Sequence, residues 1–145
     1  MNNISILDDF GSAPPRSPCV LCMRGEKGSF VLQMTEWFTW LNIKRNPMLS
    51  FSMPRGGEAA ELREGDSFVL AFPPAEEALR YRAGARSAFG EELPVGTMSA
   101  ELDGLNLPVP KGSEVLLQCT LAGAYNYPFK KVRIFNCNLE QALGL

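Results

Sequence analysis

Histidine is absent from this 145-residue chain, and the absence removes whole classes of chemistry. Hydrolases that activate serine or cysteine with an imidazole, His-ligated zinc enzymes and histidine-ligated haem all need that ring. Blocks of basic residues are absent too. The 14 Lys and Arg face 16 Asp and Glu, for a net charge of −2, with no stripe able to displace counterions from DNA or RNA. A nucleic-acid partner is therefore not expected. No run approaches the roughly 18 apolar residues of a membrane span, and the opening "MNNISILDDFGSAPPRSP" has neither the basic nor the apolar region of a secretion signal. The expectation is a cytoplasmic chain with no membrane partner. G-x-G-x-x-G and P-loop motifs are also missing, so nucleotide binding by those routes is excluded.

Cysteine is sparse: Cys19, Cys22, Cys119 and Cys137. "CVLC" has the spacing of redox and zinc sites, but its surroundings read as a strand. Period 2 sends positions i and i+3 to opposite faces, so the pair converges only if a turn intervenes. Two readings stand: buried structural thiols in a reducing compartment, or a thiol-redox or zinc site. The first is preferred, and neither a metal ligand nor a catalytic side chain is assigned.

What the chain does contain is ordinary for a globular domain, 46% hydrophobic and 21% charged, and its length allows a real core of roughly 68–70% buried surface. Residues 1–17, with Pro14 and Pro15, read as an irregular arm with at most a loose strand near Ile4 to Leu7; residues 18–145 read as one domain. "CVLCMRG" and "SFVLQMT" form a hairpin across the glycines of "GEKG". "MLSFSM" alternates small polar with apolar residues, as a strand with Ser50 and Ser52 on one face. "PRGGEAAELREG" suggests a short helix with Glu58 near its start, and "DSFVLAFP" a strand buried on both faces. A second helix is expected from Ala75 to Ala83, ended by Gly84. The proline- and glycine-rich stretch 93–113 reads as a loop or interrupted edge strand, and two longer strands, "SEVLLQCTLAGAYN" and "FKKVRIFNCNL", finish the chain. Short hairpin connections with two short helices point to a mainly β, small antiparallel barrel of six to seven strands.

The stretch "SFVLQMTEWFTWLN" (29–42) sets two tryptophans and two phenylalanines among Thr35, Glu36 and Thr39. Such an aromatic stripe suits a core or an interface as well as a ligand wall. Taken in order, the hairpin into "MTEWFTW", then "NPMLSFSMPR", a short helix and "GDSFVLAFP" resemble the flavin reductase-like, flavoredoxin-like FMN-binding split-barrel family over residues 18–73. The resemblance implies a Greek-key split barrel that binds FMN, takes hydride from NAD(P)H, and pairs as a homodimer with the flavin at or near the subunit interface. A flavin needs a flat slot, donors and acceptors around its ring, and a grip on its phosphate. Carried onto this chain, the ring and ribityl contacts fall on Gln33, Met34, Thr35, Glu36 and Trp37, and on Ser50, Phe51 and Ser52 of the next strand. Glu36 would accept from the ring N3–H; alternatively it is a solvated carboxylate at a strand end. The chain departs from the family pattern at four points. Trp37 stands where a Ser is usual, and Gly57 and Ala59 where Arg and Ser or Thr usually hold the phosphate. Ala71 replaces an Asn, and "AGARSAFGE" leaves only Arg86 near a usual Lys. Arg55, with the N–H groups of Gly56 and Gly57, is the substitute phosphate grip. Arg80, Arg82 and Arg86 read as a solvated basic group or as a guide for an anionic tail. The function implied is flavin-mediated hydride or electron transfer; the alternative is a divergent dimeric split barrel that has lost flavin and serves as a binding or structural module.

Overall fold

The computed structural model describes residues 1–11, 13–16, 18–25, 28–57, 59, 62–87, 97–102, 105–128 and 130–144. Eleven strands and two helices run through them: β1 (Asn2–Asn3), α1 (Ile6–Phe10), β2 (Val20–Arg24), β3 (Phe30–Met34), β4 (Trp37–Asn42), β5 (Met48–Pro54), β6 (Ser67–Phe72), α2 (Ala75–Leu79), β7 (Ala85–Ser87), β8 (Thr97–Leu102), β9 (Leu105–Pro110), β10 (Val115–Asn126) and β11 (Val132–Gly144). One antiparallel sheet runs β4-β5-β11-β10-β6-β2-β3-β7, β1 adds to β11, and β8–β9 form a separate hairpin. This is the mainly β, split-barrel architecture expected, with two short helices, but with nine strands in the main sheet where six to seven were expected.

Alternation along the strands gives the sheet two different faces. Val31, Phe38, Leu49, Phe51, Phe68, Leu117 and Phe135, drawn from strands across its whole width, meet in one buried cluster, so the sheet curls around its inner face. Phe51 is stacked on Phe135 with ring centroids 5.0 Å apart and meets Phe68 edge-on at 5.7 Å, both favoured aromatic geometries. On the outer face, Val20, Cys22, Leu32, Val69, Ala71 and Leu116 form a second cluster with Ala78 and Tyr81 of the α2 region and Ala100, Leu102, Leu107 and Val109 of the hairpin. This explains why "VLCM" and "FVLAF" are apolar without alternation: β2 and β6 are buried on both sides.

Several expectations change. Where a loose strand was expected, the N-terminal arm forms α1. Ser5 Oγ accepts from the Asp8 N–H at 3.3 Å, Ser5 N–H donates to Asp9 Oδ2 at 2.7 Å, and Gly11 closes the turn at φ +59°, a reciprocal cap like a capping box but with the acid one residue further on. Ile6 inserts into the barrel interior at 3% exposure. The stretch 93–113, expected as a loop or an interrupted edge strand, contains the two strands of the β8–β9 hairpin. Its prolines, Pro108 and Pro110, pair with Ser99 and Thr97 in a two-stranded ribbon, where a missing N–H costs little. α2 stops at Leu79 and continues as turns to Ala83, ending where Gly84 adopts φ +86°. Of the helix expected after Pro54, Glu58, Ala60 and Glu61 lie outside the described residues; the flanking Leu62 N–H bonds the Ala59 carbonyl at 3.2 Å.

Candidate functional site

The strand expected to line a pocket divides its residues between the two faces. Because Leu49, Phe51 and Met53 belong to the interior, Ser50 and Ser52 stand on the outer face. Phe51, assigned to the ligand wall, is instead fully buried among core phenylalanines; the two-residue period that turns the serines outward turns Phe51 inward.

Register carries the outer face across four strands. Trp37 pairs with Ser52, Ser52 with Ile134, and Ile134 with Tyr125; the next row is Thr39, Ser50, Asn136, Gly123. The rows span about 14 Å at the usual strand spacing. Trp37 (47% exposed) and Tyr125 (52% exposed) form the rims, while Ser50 and Ser52 are buried in the floor. The outer cluster of α2 and the β8–β9 hairpin reaches Leu116 of β10 and Leu143 of β11 but includes no residue of these two rows.

Between β3 and β4 the chain turns over this site. Thr35 is buried; its N–H bonds the Cys19 carbonyl at 3.0 Å and its Oγ1 lies 3.2 Å from Cys19 Sγ. Thr35 therefore anchors the turn to β2. Glu36 donates its N–H to the Ser52 carbonyl at 3.0 Å and leaves its carboxylate exposed. Met34 donates its N–H to the Tyr81 carbonyl at 2.9 Å and packs against the outer cluster. The half-buried Gln33 side chain runs close to the backbone of Gly57 and Gly84. A Cβ on Gly57 would stand 3.4 Å from Gln33 Oε1, and one on Gly84 3.7 Å from its Cδ.

Arg55 sits at the exit of β5, where its guanidinium already has partners. Nε donates to the Val132 carbonyl at 3.4 Å and Nη2 to the Tyr127 carbonyl, while its own N–H bonds the Lys131 carbonyl at 3.2 Å. A guanidinium has five N–H donors, so three remain. Beyond it, Gly56 faces open space, with nothing within 4 Å of where a Cβ would be. An exposed indole, serine hydroxyls, a free-standing carboxylate and a cation beside open backbone N–H groups are thus brought to one end of the outer face. That donor set fits a flavin, with the phosphate grip the thinnest part. Ala71, in place of the usual Asn, is fully buried in the outer cluster. Arg80 pairs with Glu77 at 3.4 Å and Arg82 is exposed, whereas the side chain of Arg86 lies outside the described residues.

The thiols take no part in this site. Cys19 faces the barrel interior and Cys22 the outer cluster, and all four cysteines are free and buried. Burial pushes the Cys19 thiol up to about 12 despite the bond from Thr35, and raises Cys22, Cys119 and Cys137 as well. Such thiols are poor nucleophiles and poor ligands. No cluster of potential metal ligands exists among the described residues.

Sequence reasoning missed Tyr125, Ile134 and Asn136, because pairing of β5 with the C-terminal strand leaves no local mark. It also passed over the doublet Lys130–Lys131, of which the Lys131 carbonyl accepts the Arg55 N–H.

No protein-family model and no curated protein sequence matches the chain. Its fold is similar to that of the styrene monooxygenase flavin reductase from Pseudomonas putida S12, at a TM-score of 0.67 and 14% identity over 89% of this chain and 80% of that one. It is also similar to the NADH:FAD oxidoreductase of Streptomyces globisporus C-1027, with a TM-score of 0.68 and 12% identity over 90% and 75% of the two chains. A flavin reductase with a split-barrel domain from Shewanella frigidimarina NCIMB 400 aligns at 0.67 and 10% identity over 97% and 70%. The chain has the split-barrel fold of flavin reductases.

Proposed function

We propose that the protein is a divergent flavin reductase-like split barrel that binds FMN on the open half of the outer face. The observation that carries the reading is the meeting of the Glu36–Trp37 turn, Ser52 and the Arg55–Gly57 segment at one end of that face, on a fold shared with NAD(P)H:flavin oxidoreductases. Trp37 would wall the ring, Ser50 and Ser52 would present hydroxyls to it, and Arg55 with Gly56 and Gly57 would hold the phosphate. When bound, the flavin supplies hydride and electron transfer, with NAD(P)H as the donor. The chain's own residues orient the ring and exclude water from it, without a side-chain acid or base.

The reading includes a cytoplasmic homodimer built from one split-barrel domain, residues 18–145, with the N-terminal arm against it. Charge-free rows on an uncovered sheet half support a second copy there, since interface cores are depleted of charge. A monomeric mass in sedimentation equilibrium at micromolar concentration would remove that support.

Titration with FMN tests the main reading. The wild-type protein should take up FMN and show quenched tryptophan fluorescence, and Trp37→Ala should weaken binding about two- to tenfold, the worth of one aromatic stack. One observation favours the other reading, a barrel that has lost flavin: Arg55 is already engaged by the backbone of the β10–β11 turn. A protein that remains colourless with excess FMN would establish that alternative and sink the first.

A further inference from the structure

The turn between β10 and β11 gathers three cations. Lys130 and Lys131 are exposed near its tip. Arg55 reaches in from β5 to the carbonyls of Tyr127, Lys131 and Val132. Arg133 lies across the same hairpin, with Nη1 donating to Asn126 Oδ1 at 3.1 Å and its guanidinium 5.8 Å from the centroid of the Phe135 ring. No carboxylate of a described residue pairs with any of them; the one ion pair among those residues is Arg80–Glu77. Three of the chain's 14 basic groups, Arg55, Lys130 and Lys131, therefore belong to this turn with no paired carboxylate among the described residues.

The arginines and lysines differ in their freedom. Arg55 and Arg133 are held by backbone oxygens and Asn126, and Arg133 Nε is buried without a partner. Arg55 is the fixed cation of the turn, whereas Arg133, paired with Met53 and lying over the Phe135 ring, is turned to the interior side of the sheet. The lysines, on flexible stems, are suited to close on a compact multiply charged anion, because an ammonium binds phosphate as a point charge. Gly56, next to Arg55 in the chain, has nothing within 4 Å of where a Cβ would be.

We propose that the β10–β11 turn is an anion clamp in which Lys130 and Lys131, with Arg55 beside them, take the phosphate of a phosphorylated cofactor. This rests on the flavin reading and supplies the grip that Gly57 and Ala59 lack. The shared chemistry is a phosphate monoester or pyrophosphate, from either the flavin tail or the nicotinamide cofactor.

The test compares the wild-type protein with a Lys130→Ala, Lys131→Ala double variant, whose exposed positions leave the fold intact by circular dichroism. Binding of FMN, riboflavin, NADP+ and inorganic pyrophosphate is measured at low and moderate salt. The double variant should lose about tenfold in FMN or NADP+ affinity, with riboflavin unchanged and the loss shrinking as salt screens the charges. A loss confined to FMN assigns the clamp to the flavin tail, and one confined to NADP+ assigns it to the nicotinamide cofactor. If the wild-type protein binds neither flavin, the flavin reading falls, yet pyrophosphate binding that disappears in the double variant keeps the clamp. Equal affinity of both proteins for FMN, NADP+ and pyrophosphate overturns it.

Discussion

Two halves of the same sheet present different outer faces. Over β6, β2 and β3 that face lies under α2 and the β8–β9 hairpin, and its residues are as buried as the barrel interior, with Val20, Cys22, Val69 and Ala71 at 0% exposure. Over β4, β5, β11 and β10 the corresponding positions carry Trp37, Ser52, Ile134 and Tyr125, none of which belongs to that outer cluster, and Trp37 and Tyr125 are exposed. One half is packed on both faces, whereas the other supports the barrel with one face and carries exposed aromatic rims on the second.

The sharpest way to break that comparison is to delete the same kind of contact on each half. Leu107 is 1% exposed in the outer cluster, and Leu107→Ala should destabilise by about 2–5 kcal/mol, transfer plus cavity. Ile134 is only half-buried on the open half, so Ile134→Ala should cost about 1 kcal/mol or less. Urea unfolding of the two variants decides it. Equal losses would mean that the open half is as structural as the covered one.

The difference was partly legible in the sequence. "VLCM" and "FVLAF" lack alternation, which marks strands buried on both faces, and "LSFSM" has it, which marks a strand with two kinds of neighbour. The placement of Cys19 and Cys22 on opposite faces followed from the two-residue period alone. What escaped depended on distant pairing or on competition between signals. The prolines of 93–113 suppressed a hairpin that a two-stranded ribbon tolerates, and Ser5 and Asp8–Asp9 capped a helix where only an arm was expected. Phe51 was grouped with its neighbouring serines by proximity along the chain, although a strand separates adjacent residues by a sheet's thickness. The row from Trp37 to Tyr125 joins residues 88 positions apart, and nothing at either end announces the other.

A smaller, graded effect separates the layers by chemistry. The open half carries no thiol among its two rows, while Cys22 lies in the covered layer and Cys19, Cys119 and Cys137 in the interior. Burial raises each thiol above its ordinary value, Cys19 to about 12. A group whose pKa is raised on folding binds its proton more tightly in the native state. Its contribution to stability is complete below about pH 9 and is lost as pH climbs toward the folded value. Each buried thiol should therefore lower stability by up to about 1.4 kcal/mol per pH unit in that window. Cys22→Ala should reduce the slope of unfolding free energy between pH 9 and 10.5, whatever constant cost its missing sulfur adds at neutral pH. Urea midpoints measured across that range, for wild type and variant, separate slope from offset. Identical slopes would show that the covered layer lets water or hydroxide reach Cys22, which would make it as open as the half with Trp37 and Tyr125 at its rims.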